Sequence, residues 1–180
     1  MGMKNWSYSS SKKNNLTKNW SYTIKEGEHA GKTLWSGRYC AVVGIVIYYD
    51  LDTDITYILA TKRGKGTPDY KGYWCMPCGF LEADESGEQG VAREVFEETG
   101  IKYKPELFYL YGVQTEPELC NNGNVTLRYY NIVDEITKPN YVNINGEVDE
   151  VEEVKWIPVT EIDNYIWAFG HDDLIKNMFE

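Results

Sequence analysis

The apolar residues of this chain fall into several short runs and one longer stretch. The short runs are rich in β-branched and aromatic residues and are bounded by turn-forming residues, which is typical of β-strands. They predict strands at 39–49, 55–61, 106–113, 125–133 and 151–157. The acidic segment 50–54 predicts a hairpin turn between the first two strands, and a loop over 62–73 follows. Near the other end, Thr160 predicts the cap of a short helix over 161–167, and a last helix is predicted at 171–178.

The longer stretch, 86–100, predicts an amphipathic helix. Ser86 and Gln89 stand in the relation of a capping box, so the helix should begin near Glu88. Gly100 is suited to the left-handed conformation that commonly ends a helix. Between these limits a largely apolar stripe recurs at helical spacing, at Val91, Ala92, Val95, Phe96 and Thr99.

The length and the composition of the first residues predict one domain with a polar extension. A chain of 180 residues is expected to build a single core. Residues 1–20 are rich in Asn, Ser and Lys, a composition that predicts mobility. We therefore divide the chain into a polar, partly disordered arm, 1–36, and a domain, 37–180.

The predicted helix also carries a cluster of carboxylates. Glu94, Glu97 and Glu98 are spaced i, i+3 and i+4, so they project from one face. Like charges at this spacing destabilise a helix by about 0.2–0.5 kcal/mol per pair, and a bound cation would reverse that sign. Carboxylate oxygens are the ligands that Mg²⁺ and Mn²⁺ prefer. The ordinary alternative is a solvated, glutamate-rich face.

A longer pattern surrounds these carboxylates. Residues 79–101 read GFLEADESGEQGVAREVFEETGI. They fill every fixed position of G-x5-E-x7-R-E-U-x-E-E-x-G-U, the Nudix box, in which U is apolar. The chain therefore resembles the Nudix hydrolases, over about residues 37–178. The resemblance implies an α/β fold, the Nudix-type α/β/α sandwich with a mixed β-sheet and a loop–helix–loop metal site.

The resemblance also implies an activity. Its members hydrolyse a diphosphate linkage in a nucleoside diphosphate derivative, with Mg²⁺ or Mn²⁺ as the cofactor. Pro117 lies sixteen residues beyond Ile101, near the offset of a proline that marks ADP-ribose pyrophosphatases of the family. ADP-ribose-like or dinucleotide substrates are therefore slightly favoured over nucleoside triphosphates.

The roles of the box residues follow from the same resemblance. The implied metal ligands are Glu94, Glu97, Glu98 and a backbone carbonyl near Gly79, with Glu150 from the acidic segment 147–153. The implied catalytic residues are Glu94 or Glu97 as the base, with Arg93 and Glu85, which Arg93 can reach back to bind. For Glu150 the alternative is an ordinary solvated carboxylate.

Candidate substrate-binding residues lie outside the box. They are Arg63 and Lys65 of the basic loop, Pro117, and His171, which resembles a late residue that borders the substrate pocket in some relatives. The alternatives are a solvated basic loop for Arg63 and Lys65, and an ordinary residue at a helix N-terminus for His171.

The net charge restricts the partners. It is −10, from 28 acidic and 18 basic residues, and such a surface repels nucleic acid and anionic membranes. We expect a nucleotide-type small-molecule substrate, no nucleic-acid or membrane partner, and a cytoplasmic protein, since no secretory or membrane-spanning pattern is present. A homodimer is compatible with the resemblance. The alternative function is a non-catalytic Nudix-fold nucleotide sensor, a class that usually has a degenerate box.

Four cysteines are present, two of them in a C-x-x-C motif formed by Cys75 and Cys78. A zinc site would need a second such pair, whereas Cys40 and Cys120 are isolated. A redox motif would need a helix that opens directly after it, whereas a loop is predicted there. We therefore favour a structural role for this pair.

Overall fold

The computed structural model describes residues 21–35, 37–116, 123–139 and 149–179. The chain forms two compact units, which divide between Arg38 and Tyr39. The first unit contains an antiparallel pair of short strands, β1 (Ser21–Thr23) and β2 (Thr33–Trp35). The limits 1–36 and 37–180 remain a prediction, and the expected mobility of residues 1–20 lies outside the described residues.

The second unit carries, within the described ranges, a seven-stranded sheet and two α-helices. The strands are β3 (Cys40–Asp50), β4 (Ile55–Arg63), β5 (Trp74–Cys75), β6 (Cys78–Phe80), β7 (Tyr109–Gln114), β8 (Val125–Val133) and β9 (Val151–Pro158). The helices are α1 (Gly87–Thr99) and α2 (His171–Phe179), and short 3₁₀ helices cover Pro105–Leu107 and Val159–Asn164.

The sheet is mixed and centred on β3. The long strands β3 and β8 run parallel, in register from Cys40 beside Val125 to Tyr48 beside Val133. The other pairs are antiparallel, including the hairpin of β3 and β4 that the sequence predicts and the edge pair of β7 and β8. Strand β9 pairs along β4.

The sheet opens between β3 and β4. Strand β4 pairs with the last residues of β3, while β6 pairs with its first residues, Ala41 to Val43. Beyond the hairpin, β4 pairs instead with β5 and β9. The backbone N–H of Gly44 donates to the carbonyl of Pro77 at 2.8 Å, which anchors the connection from β5 to β6 inside the opening. Residues 74–80, which lead into the Nudix box, are thus inserted into the sheet.

A helix covers each face of the sheet. Helix α1 packs through Val91 and Val95 against Val42 and Val46 of β3. On the other face, α2 contributes to a core built from Ile45, Ile58, Ile157, Leu174 and Ile175. This arrangement confirms the predicted α/β/α sandwich with a mixed sheet. No helix in the described ranges is long and apolar enough to cross a membrane.

Helix α1 begins and ends as the sequence predicts. The hydroxyl of Ser86 accepts the backbone N–H of Gln89 at 3.3 Å, and the Gln89 side chain accepts the N–H of Ser86 at 2.8 Å, so the capping box is complete. Gly100 ends the helix in the left-handed conformation, with φ 72°. The last helix also matches its prediction closely.

Two local predictions were wrong, and two short strands were not predicted. Residues 74–75 and 78–80 form strands that are too short to stand out as runs. The predicted strand at 106–113 begins only at Tyr109, because Pro105 starts a 3₁₀ turn first. Thr160 does not cap a helix, since it lies inside a 3₁₀ helix that follows Pro158 and has no side-chain cap.

Candidate metal and active site

Arg93 connects the helix and the preceding loop of the loop–helix–loop through several hydrogen bonds. Its Nε and Nη2 donate to both carboxylate oxygens of Glu85, at 3.0 and 2.6 Å, and Nη2 also donates to the carbonyl of Phe80 at 2.9 Å. Its Nη1 donates to Glu94 Oε1 and Glu97 Oε2, each at 2.8 Å. The hydrogen bond from Arg93 lowers the pKa of Glu85. The predicted reach from Arg93 to Glu85 is confirmed, and this bidentate pair ties the helix to the preceding loop.

Glu94 is buried against the strand that opens the box. It is 9% exposed, and burial raises its pKa to about 7, despite the neighbouring guanidinium of Arg93. A Cβ placed on Gly79 would lie 2.2 Å from Glu94 Oε1. A side chain at the first box position would therefore displace the carboxylate of Glu94.

Glu98 is buried one turn further along the same face. It is 5% exposed, and the hydroxyl of Thr61 in β4 donates to its Oε2 at 3.0 Å. Burial raises the pKa of Glu98 well above its ordinary value. Thr61 is a contact that the sequence analysis missed, although a polar residue within the apolar run of β4 was a usable signal.

Glu150 reaches this cluster from far along the chain. Its backbone carbonyl accepts the N–H of Gly64 at 2.7 Å, and the carbonyl of Asp149 accepts the N–H of Gly66 at 2.8 Å. The charge of Glu150 contributes to the raised pKa of both Glu94 and Glu98. The loop after β4 therefore holds Glu150 close enough to act electrostatically on the box carboxylates.

This set of residues fits a hard divalent cation. Glu94 and Glu98 are buried acids that raise each other's cost of ionisation, and a cation between them would remove that cost. Among the described residues, no three His, Cys, Asp or Glu side chains are placed so that they alone could hold a metal ion. Arg93 bridges Glu94 and Glu97. An open set of carboxylate oxygens, completed by water and phosphate, is the site that Mg²⁺ prefers.

The substrate candidates lie in different surroundings. The Arg63 guanidinium binds Asp69 Oδ1 at 2.6 Å and stacks over the ring of Phe169, 4.9 Å from its centroid. Lys65 is exposed on the same loop. Pro117 lies outside the described residues. Arg63 thus already has partners within the fold, whereas Lys65 is open to solvent.

His171 is buried at the start of α2. It is 4% exposed, and its Nδ1 accepts the backbone N–H of Met76 at 3.0 Å. Burial lowers its pKa to about 3, so the ring is neutral. This contact gives His171 a role in holding the segment before the box, and its predicted contact with substrate stays a prediction.

The C-x-x-C thiols lie beside the carboxylates. The Sγ of Cys75 is 3.4 Å from Thr61 Oγ1, the hydroxyl that binds Glu98. The thiols of Cys75 and Cys78 are hydrogen-bond partners, and the contact with Cys78 lowers the pKa of Cys75 to about 7. The sequence predicts a structural role for this pair, and the chain separation of Cys75 from Thr61 and Glu98 hides their contact.

Comparison with known proteins identifies the family. The NUDIX domain model matches residues 38–178. The chain belongs to the Nudix family. This match includes every described residue of the site above, and the sequence resemblance is thereby confirmed.

Individual relatives add detail. The ADP-ribose pyrophosphatase of Methanocaldococcus jannaschii is 32% identical over 123 residues, which cover 67% of this chain and 64% of that protein. The phosphatase NudJ of Escherichia coli is 50% identical over 38 residues, 21% of this chain and 25% of that protein. The chain thus spans less than two thirds of the length of either curated relative.

Two solved structures show the same fold. The NUDIX domain of Shewanella oneidensis NrtR, complexed with ADP ribose, superposes with a TM-score of 0.66 at 22% identity, over 80% of this chain and 88% of that one. A bifunctional NMN adenylyltransferase/ADP ribose pyrophosphatase of Francisella tularensis, complexed with AMP and a manganese ion, gives 0.64 at 25% identity, over 79% of this chain and 41% of that one.

Proposed function

We propose that this protein hydrolyses a diphosphate linkage in a nucleoside diphosphate derivative, in a reaction that requires Mg²⁺ or Mn²⁺. The observation that carries the proposal is the buried pair of carboxyls, Glu94 and Glu98, on one face of α1. Burying two acids side by side costs free energy unless a cation joins them. A divalent cation that arrives with a polyphosphate substrate meets this need.

The position of each box residue determines the role that we propose for it. Glu94, Glu97 and Glu98 would hold the cation, with the carbonyl of Gly79 and the carboxylate of Glu150 completing the set. A divalent cation bound there would lower the pKa of water and neutralise charge on the phosphoryl oxygens.

Proton transfer falls to one of two carboxylates, Glu94 or Glu97. Without a bound cation, burial raises the pKa of Glu94 to about 7, and a bound cation would lower it. Arg93 contacts both carboxylates and Glu85, so it fixes the orientation of whichever one takes the proton.

ADP-ribose-like compounds are the substrate class that we propose first. The Methanocaldococcus jannaschii relative is an ADP-ribose pyrophosphatase, and the Francisella tularensis structure contains AMP and manganese in a protein with that activity. Lys65, exposed on the loop after β4, is available for a distal phosphate. Arg63, Pro117 and His171 complete the proposed substrate-binding set.

The surroundings of the enzyme follow from its charge. We propose a cytoplasmic protein that acts on small nucleotides and has no nucleic-acid or membrane partner, which the net charge of −10 supports by repulsion. A homodimer stays a prediction that light scattering would test.

The test is a panel of ADP-ribose, NADH, diadenosine polyphosphates, nucleotide sugars and nucleoside triphosphates, each with Mg²⁺, Mn²⁺ and EDTA. We expect ADP-ribose to lead and EDTA to abolish turnover. Glu97→Gln should lower turnover by about a hundredfold or more, because the stabilisation supplied by a bound metal is worth several kcal/mol. The matched control is Glu106→Gln, since Glu106 is an exposed glutamate outside α1.

Two outcomes would contradict the proposal. Turnover that survives EDTA, or a Glu97→Gln variant with normal turnover, would remove the metal assignment. Silence across the whole panel, with Mn²⁺ still bound, would instead support a nucleotide sensor on the same fold.

A further inference from the structure

Two thiols lie beside the proposed metal site and take no part in the proposed reaction. Cys75 belongs to β5 and Cys78 to β6, and neither forms a disulfide. Their thiols are in hydrogen-bonding contact. We propose that a peroxide converts this pair to a reversible disulfide, and that the disulfide weakens metal binding at the adjacent carboxylates.

The fold holds the two thiols together. Strand β5 pairs with β4, and β6 pairs with β3, so each cysteine is fixed by a different neighbour. The residues between them are anchored as well, Met76 through its N–H to His171 Nδ1 and Pro77 through its carbonyl to Gly44. Bond formation therefore orders little additional chain, which keeps its entropic cost low.

The surroundings favour a disulfide over a metal site for this pair. Within the described ranges, no third His, Cys, Asp or Glu joins the two thiols as a ligand set. The Arg63 guanidinium lies against Cys75 as a hydrogen-bond donor. A fixed positive charge in contact with one of the thiols repels a metal cation. A disulfide carries no charge and is not affected in this way.

The oxidation takes two steps. Cys75 is 1% exposed and Cys78 is half-buried, so the peroxide reaches the pair through local opening of the fold. Hydrogen peroxide transfers one oxygen to one of the two sulfurs, its O–O bond breaks and one water leaves. The other sulfur then attacks the sulfenic sulfur, the S–O bond breaks, and the proton of the attacking thiol leaves with the oxygen as a second water. Two thiols lose two electrons in total, and the peroxide gains them.

Two contacts carry the effect to the metal ligands. The Thr61 hydroxyl donates to Glu98 at 3.0 Å and lies 3.4 Å from the Cys75 sulfur. A disulfide has no hydrogen to donate, so its contact with Thr61 is weaker than that of the thiol. Cys78 also directly precedes Gly79, whose backbone is packed against the carboxylate of Glu94. A move of Cys78 towards Cys75 therefore shifts the Gly79 backbone, against which the Glu94 carboxylate is packed.

The inference rests on the proposed function, and its test has readouts that need no turnover. The reduced full-length protein is treated with hydrogen peroxide, and its intact mass and peptides are measured without reductant. Mn²⁺ affinity is measured by electron paramagnetic resonance before oxidation, after oxidation and after dithiothreitol. We expect a loss of two hydrogens that maps to Cys75 and Cys78, and Mn²⁺ affinity lower by about tenfold or more, the scale on which outer contacts of metal ligands act. Dithiothreitol should restore it.

Matched variants isolate the pair. Cys78→Ser and Cys75→Ser should each lose the response to peroxide, judged as the ratio of Mn²⁺ affinity after and before treatment. Cys40→Ser combined with Cys120→Ser removes the other two thiols and should keep the full wild-type ratio. Circular dichroism checks the fold of each variant, and the wild-type measurements stand without them.

The failures are distinguishable. Absence of the disulfide, or a disulfide that leaves Mn²⁺ affinity unchanged, overturns the inference and leaves the proposed function standing. A reversible disulfide that weakens Mn²⁺ binding in a protein without turnover supports the inference while the proposed function fails. Loss of affinity that dithiothreitol does not reverse indicates overoxidation and also overturns the inference.

Discussion

Both faces of the sheet bury ionisable groups, and they do so in opposite ways. Under α2, His171 is neutral, with a pKa of about 3, and its ring accepts a backbone N–H. Under α1, burial raises the pKa of Glu94 to about 7 and that of Glu98 well above its ordinary value. The first face buries a satisfied polar group, whereas the second buries acids that oppose each other's ionisation.

A buried structural group and a buried functional group therefore differ in what they cost the fold. A neutral, hydrogen-bonded imidazole costs the fold little at neutral pH. Crowded carboxyls cost stability that a hydrophobic face would not, and such a cost is expected at sites that serve chemistry. The two faces should also respond to pH with opposite sign.

Glu98→Gln is expected to have the greatest effect, on turnover and on the pH dependence of stability. Glutamine keeps an oxygen for the Thr61 hydroxyl but removes the charge, so turnover should fall by about a hundredfold or more. The folded pKa of Glu98 is raised above its unfolded value, so in metal-free buffer the wild type loses stability as pH rises above about 4.5, and the variant should lose less, with Glu94 still contributing. Urea unfolding in EDTA at pH 5 and 7 measures this. A variant less stable than wild type at pH 7 would show that the charge supports the fold.

Gly79→Ala is expected to have the second-largest effect. It tests the packing of the Gly79 backbone against the Glu94 carboxylate. The new Cβ would lie 2.2 Å from Glu94 Oε1, so the carboxylate must move, at a cost of about 1–3 kcal/mol and of most of the activity. The control is Gly112→Ala, because a Cβ on Gly112 meets no atom within 4 Å. Kinetics and thermal unfolding of both variants decide the matter, and equal effects would remove the special role of Gly79.

His171→Asn is expected to have a smaller effect, limited to the pH dependence of stability on the α2 face. The Asn carbonyl can accept the Met76 N–H, but it does not titrate. The folded pKa of His171 is depressed, so its contribution is present above the unfolded value of 6.5 and is lost as pH falls towards about 3. Wild-type stability should drop relative to the variant by up to about 1.4 kcal/mol per pH unit in that window. Parallel urea midpoints from pH 7 to 5 would contradict the burial of a neutral ring.

Ser86→Ala should give the smallest change. It removes the N-cap hydrogen bond of α1 and should cost about 1 kcal/mol of stability. Since Ser86 contacts none of the carboxylates on the metal face, turnover should stay close to that of the wild type. Thermal unfolding and kinetics on one preparation test this, and a large loss of turnover would show that helix stability and chemistry cannot be separated.

The sequence predicted the parts of the fold that depend on local order. The strands β3 and β8, the capping box at Ser86 and the left-handed Gly100 all follow from neighbours in the chain. So does the Arg93–Glu85 pair, which the spacing of the box brings within reach. These features need no knowledge of tertiary packing.

The remaining features depend on contacts between distant residues. Thr61 and Glu98 are separated by 37 positions, and Met76 and His171 by 95. No periodicity predicts that β5 and β6 enter the sheet between β3 and β4. For the same reason, the closeness of Cys75 to Thr61 and Glu98 was visible only after the chain was folded.

The insertion of residues 74–80 has a consequence for the order of assembly. The backbone of Trp74 donates to the carbonyl of Ile166 and accepts the N–H of Ala168, both at 2.8 Å, and Met76 is held by His171. A growing chain that has passed the Nudix box but not yet reached these residues lacks the partners that fix the segment in place. During synthesis the box helix can therefore form early. The segment 74–80, which packs against its carboxylates, is fixed in place among the last steps of folding.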